Sequence, residues 1–110
     1  MVGAMTQAHA ERRRSPRIKW RIPFVATWAS GKTLTVREQG ETEVINAHGA
    51  LIRLATHLRR GSQITLLRPG TNLSKPARVV GDVGPAGDGR VRLGVELEIP
   101  SHNFWVEMAR

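Results

Sequence analysis

The sequence predicts an all-β protein, a small six- to seven-stranded antiparallel β-barrel with a short C-terminal helix. Three observations lead there. Apolar and polar residues alternate over run after run with the two-residue period of a strand. Turn signals rich in Gly, Pro, Ser or Asn separate these runs about every 8–12 residues, the spacing of sandwiches and barrels. At 110 residues the chain supports one domain with a modest core, and barrel closure removes the edges that so many strands would otherwise expose.

Residues 1–10 carry no periodic pattern and read as a disordered N-terminus, 11–19 as a basic strap, and 20–110 as the barrel with its helix. From Trp20 the series Trp20, Ile22, Phe24, Ala26, Trp28 places each large apolar group on one face, with Lys19, Arg21, Pro23, Val25 and Thr27 on the other. Ser30-Gly31-Lys32 is a turn. Residues 33–37 and 42–46 read as two short strands around a polar Glu38-Gln39-Gly40 turn. The runs "ALIRL" (50–54), "SQITLL" (62–67), "PARVVGDV" (76–83) and "RVRLGVELEI" (90–99) supply the remaining strands. In the last of these Val91, Leu93, Val95 and Leu97 face one way, and Arg90, Arg92, Glu96 and Glu98 the other. After Pro100 the period changes. Ser101 suits a helix N-cap, and Phe104, Trp105 and Met108 recur at helical spacing.

Charge is concentrated rather than spread. The chain has 17 basic and 9 acidic residues, a net +8, and Glu11 to Arg21 alone carries six basic groups against one acid. Arginine supplies 14 of the 17 basic residues, a preference that suits planar, bidentate partners such as phosphate or a guanine edge. Ser15-Pro16 interrupts the run "ERRRSPRIKW" and disfavours a regular helix, so the segment reads as an extended strap leading into the first strand. Arg13 and Arg17 form an R-x-x-x-R pair within it, with Arg12 and Arg14 as further cationic candidates. The alternative is a solvated basic arm.

Several chemistries are excluded or disfavoured. With no cysteine there is no disulfide framework and no thiolate metal site. The four histidines, His9, His48, His57 and His102, lack metal-ligand spacing. No nucleophile elbow, P-loop or dinucleotide glycine pattern is present, so the expectation is a non-enzyme without cofactor. No apolar run approaches the roughly 18 residues of a membrane span, and the first ten residues lack the apolar centre of a signal peptide, which predicts a cytoplasmic protein.

A second stretch, "VINAHGALIRL" at 44–54, joins two strands through Asn46, His48 and Gly49. Asn46 and Gly49 tolerate left-handed backbone. One reading is a plain hairpin turn with an Asx-type start. The other is a ligand site that offers an amide, small side chains and exposed backbone donors beside the first strand.

Taken in order, these features resemble the PilZ domain, a bacterial β-barrel module that binds cyclic di-GMP. Arg13-x-x-x-Arg17 precedes the first strand, the turn at Asn46 follows about 30 residues later with "GALI", and the chain closes on "RLGVELEI" and a helix. The "VINAHGALI" form resembles a divergent branch of that family. The resemblance spans roughly Arg12 to Trp105. It implies that Arg13 and Arg17 grip guanine and phosphate, with Arg12 and Arg14 as extra candidates, while Asn46 begins the second motif, Asp/Asn-x-Ser-x-x-Gly. His48 stands where the family has serine, and Leu51 where it has glycine, with Gly49 two residues earlier. A serine hydroxyl contributes about 0.5–1.5 kcal/mol, or up to about 3 beside a charge, so its loss weakens binding by roughly ten- to a hundredfold. Imidazole in its place still donates to phosphate, and more strongly below its usual pKa of about 6.5.

The expected function is therefore a cyclic di-GMP receptor module whose strap clamps the dinucleotide through Arg13, Arg14, Arg17, Asn46, His48 and Gly49. A protein partner of unknown identity would read the bound state, the barrel acting as monomer or weak dimer with no membrane contact. The first alternative is a degenerate PilZ-like domain that binds no nucleotide and acts as a protein–protein adaptor. The second is a basic barrel for nucleic acid, weakened because the five aromatics fall mostly on predicted core faces and leave no base-stacking platform.

Overall fold

Strand formation follows the alternation closely. The computed structural model describes residues 16–110, with His102 described by its backbone alone. The expected disordered segment 1–10, most of the strap, and Arg13 and Arg14 lie outside the described residues. Among the described residues seven strands form: β1 (Ile18–Lys19), β2 (Pro23–Ser30), β3 (Leu34–Ile45), β4 (Gly49–Leu54), β5 (Gln63–Leu67), β6 (Ser74–Pro85) and β7 (Val91–Leu97). One helix, α1 (His102–Ala109), follows.

All pairings are antiparallel, in the order β1-β3-β2-β5-β6-β7-β4, and β4 returns to pair with β3. Six strands therefore close a barrel and β1 adds a short extra strand on β3. Inside sit Phe24 and Ala26 of β2, Ile52 and Leu54 of β4, Ile64 and Leu66 of β5, Val79 of β6, and Leu93, Val95 and Leu97 of β7. At these positions the sequence alternation and the burial agree.

The helix closes the same core. Ser101 is its N-cap, with extended backbone, and its hydroxyl accepts the Phe104 N–H at 3.2 Å. That bond satisfies one of the orphan donors of the first turn. Phe104, Trp105 and Met108 are each buried in the core cluster, as their spacing predicts.

Three expectations fail, each because of a neighbour distant in the chain. Glu38-Gln39-Gly40 is no turn. Residues 33–37 and 42–46 merge into the single 12-residue β3, which pairs with β2 over its first half and with β4 and β1 over its second. Gly40 is there for close approach. A Cβ at this position would lie 2.6 Å from the Arg53 carbonyl oxygen and 2.8 Å from both Phe24 Cζ and Leu54 Cδ2. Trp20, expected inside, is 38 % exposed because the chain bends between β1 and β2. Fully buried Thr42 holds that bend: its hydroxyl accepts the Ile22 N–H at 2.8 Å and donates to the Trp20 carbonyl. Val25, expected outside, is buried between Gln39 and Leu67, its register neighbours.

Candidate functional site

Residues of five strands, β1, β3, β4, β6 and β7, meet at one open groove of about 750 Å³. Arg17 and Lys19, at the start of the described chain, supply its cationic rim. Asn46, His48 and Gly49, at the β3–β4 connection, line it further along. Leu51 of β4, Gly94 and Glu96 of β7, and Val80 and Val83 of β6 complete the walls and floor. Of the sequence-predicted site residues that the structure describes, all four (Arg17, Asn46, His48 and Gly49) fall in this groove.

The connection at Asn46 is an Asx turn. Asn46 Oδ1 accepts the backbone N–H groups of His48 at 2.8 Å and Gly49 at 2.9 Å, and the Asn46 N–H donates to the Gly49 carbonyl at 2.9 Å. The expected exposed backbone donors are therefore spent within the turn. Left-handed backbone is absent too: among the described residues no non-glycine has a positive φ, and Gly49 is not among the positive-φ glycines. Glycine is required at 49 for another reason. A Cβ would sit 2.0 Å from the Val95 carbonyl oxygen and 3.0 Å from Glu96 Cα, both backbone atoms of the neighbouring strand.

The rest of the turn is tied to the end of the barrel. The Leu97 N–H donates to the His48 carbonyl at 2.7 Å and the Ser101 N–H to the Ala47 carbonyl at 2.8 Å. Trp105 Nε1 donates to the Asn46 carbonyl at 2.7 Å. The groove thus has a rigid corner, with the exposed His48 imidazole and the Asn46 Nδ2 amine as its polar side-chain donors.

Most barrel arginines near this face are committed to carboxylates. Glu43 accepts from Arg53 Nε at 2.7 Å and Arg92 Nε at 2.9 Å, Glu41 accepts from Arg21 and Arg90 at 2.9 Å each, and Asp88 accepts from Arg90 at 2.7 Å. Arg17 and Lys19 belong to no ion pair among the described residues. Arg17 and Lys19 therefore leave two cations, unpaired among the described residues, on the groove rim for a ligand.

The network sets an acid limit on stability. The Arg92 guanidinium holds the Glu43 carboxyl below its ordinary range, burial opposing and Arg53 assisting. The Arg90 side chain, then its backbone N–H, lowers Asp88 to about 2. Both groups have folded pKa values below their unfolded ones, so their contribution is complete above about pH 5 and drains as pH falls from about 4.5 toward 2. In thermal melts the midpoint is expected to be level from neutrality to about pH 5 and to fall below it. Glu43→Gln, with one acceptor removed, should flatten that fall.

Sequence reading missed Lys19, Leu51, Val80, Val83, Gly94 and Glu96 as groove residues. Two signals were available: Gly94 sits on the outward parity of an otherwise one-sided strand, and glycines at 81 and 84 inside a strand pattern mark bulges. Among the described residues no three His, Cys, Asp or Glu side chains cluster to hold a metal ion, and no helix is long and apolar enough to cross a membrane. No protein-family model matches the chain, and a search of curated proteins returns no match.

Proposed function

We propose that the groove is a receptor site for cyclic di-GMP, in the manner of a PilZ-like regulatory module. The observation that carries this reading is the convergence of Arg17 with Asn46, His48 and Gly49, from two distant stretches of sequence, on one groove. Its volume lies within the roughly 300–1,000 Å³ common for small-ligand sites. The Arg17 guanidinium presents a planar fork for phosphate oxygens, Lys19 adds a point charge, and the His48 imidazole adds a further donor. The turn positions these groups and keeps its own backbone amides, so side chains and rim cations do the binding.

A second reading, an adaptor that contacts protein without nucleotide, draws on the same turn. Asn46 Oδ1 is used up by two backbone N–H groups, so the motif has a folding role whether or not a ligand comes.

Calorimetric titration with cyclic di-GMP at two salt concentrations separates them. Saturable binding is expected, weaker at high salt and weaker by roughly ten- to a hundredfold in Arg17→Ala. Deleting residues 1–14, and with them Arg13 and Arg14, should deepen the loss. A flat titration of the intact chain overturns the receptor reading and leaves the adaptor.

A further inference from the structure

The apolar half of the groove has a construction of its own. Strand β6 is bulged twice against β7, between Val79 and Gly81 and between Asp82 and Gly84. The residues left over in the two bulges are Val80 and Val83, and both line the groove with exposed side chains, 37 % and 55 % respectively. A bulge re-aims a side chain and is a built feature of a sheet. Opposite them Gly94 pairs with Gly81 on one side and Leu51 on the other, so the floor carries no side chain between two apolar walls. Glu96 stands two residues further along the same outward face of β7, between Gly49 of β4 and Arg78 of β6 in the register. It forms no ion pair with a described residue.

A flat slot walled by Leu51, Val80 and Val83, with the Glu96 carboxylate at its end beside Arg78 in the register and Arg17 and Lys19 on the rim, has the layout of a nucleobase site next to a phosphate site. Resting on the cyclic di-GMP reading above, we infer that Gly94 and the two bulged valines seat a base, and that Glu96 selects guanine over adenine. A carboxylate has only acceptors. The guanine edge offers it two adjacent donors, N1–H and the N2 amine. Adenine offers one amine beside a ring nitrogen lone pair, which repels the second carboxylate oxygen and leaves it unpaired. A glutamine, with one acceptor and one donor, matches adenine instead.

The test compares cyclic di-GMP and cyclic di-AMP by calorimetry on wild type, Glu96→Gln, Glu96→Ala and Gly94→Ala. Wild type is expected to prefer the guanine dinucleotide by roughly tenfold or more, Glu96→Ala to lose that preference, and Glu96→Gln to bring the two to parity or reverse them. Gly94→Ala raises the slot floor and should weaken both by roughly tenfold. Its new Cβ meets Val80 Cγ2 at an ordinary 3.5 Å, so the melting temperature should hold. Equal wild-type binding of the two dinucleotides, or a preference that survives both Glu96 substitutions, overturns the base slot while leaving the receptor reading in place. Failure of wild type to bind either dinucleotide overturns both.

Discussion

Gly49→Ala is expected to destabilise the protein by about 3 kcal/mol or more, at the top of the range for overpacking. For a domain of this size the melting temperature should fall by roughly 12–24 °C, given about 4–8 °C per kcal/mol. The added methyl would lie 2.0 Å from the Val95 carbonyl oxygen. A flexible side chain could swing away, but Val95 and Glu96 meet it with backbone, and moving them breaks the β4–β7 ladder that pairs Gly49 with Glu96. The paired control is Gly94→Ala on the adjacent strand, where the nearest atom is a valine methyl group at 3.5 Å. Differential scanning calorimetry of the two alanine variants checks the claim. Equal melting temperatures would show that β4 and β7 are not held this closely. The same experiment also bears on the groove, because a shifted β4 carries His48 and Leu51 with it.

Trp105→Ala should cost about 3–5 kcal/mol, the range for emptying a buried aromatic position. Trp105 is 1 % exposed, packs with the Phe104 ring at a centroid distance of 4.9 Å, and belongs to the core formed by all six barrel strands. It also donates Nε1–H to the Asn46 carbonyl. Truncation therefore opens a cavity and removes one of the bonds that fix the Asx turn. Trp105→Phe separates the two effects. It keeps most of the apolar volume and loses the hydrogen bond, for an expected cost of about 1–2 kcal/mol. Urea unfolding of both variants gives the stabilities. Ligand titration of the phenylalanine variant then tests whether α1 holds the turn in its binding geometry: weaker binding with the fold intact is the expected result, and unchanged affinity would make the helix a purely structural cap.

Much of the fold was legible from local pattern. In β7, Leu93, Val95 and Leu97 point inward because alternate residues of a strand face opposite sides, and a sequence shows that period directly. Ser101 and the Phe104, Trp105, Met108 spacing announced the helix for the same reason, since capping and helical period act within a few residues. Where the reading failed, a distant neighbour decided. Gly40 carries no local sign that Phe24 and the Arg53 backbone crowd it, so a glycine in polar company resembled a turn. Trp20 continues the alternation, yet the bend stapled by Thr42 leaves it outside.

The candidate site divides along the same line. Arg17, Asn46, His48 and Gly49 are recognisable residue types in recognisable order, and their membership of a site could be suggested from the chain alone. Val80, Val83 and Glu96 could not be added, because their meeting depends on which residues are left over when β6 pairs with β7. By itself the amino-acid order determined an all-β chain with a capped C-terminal helix and a basic approach to its first strand. Barrel closure, the glycines that permit close backbone contact, and the groove across β1, β3, β4, β6 and β7 were decided by the tertiary structure. The physical reason is that register and steric fit are set by pairs of residues far apart in the chain, whereas periodicity and capping are set by neighbours.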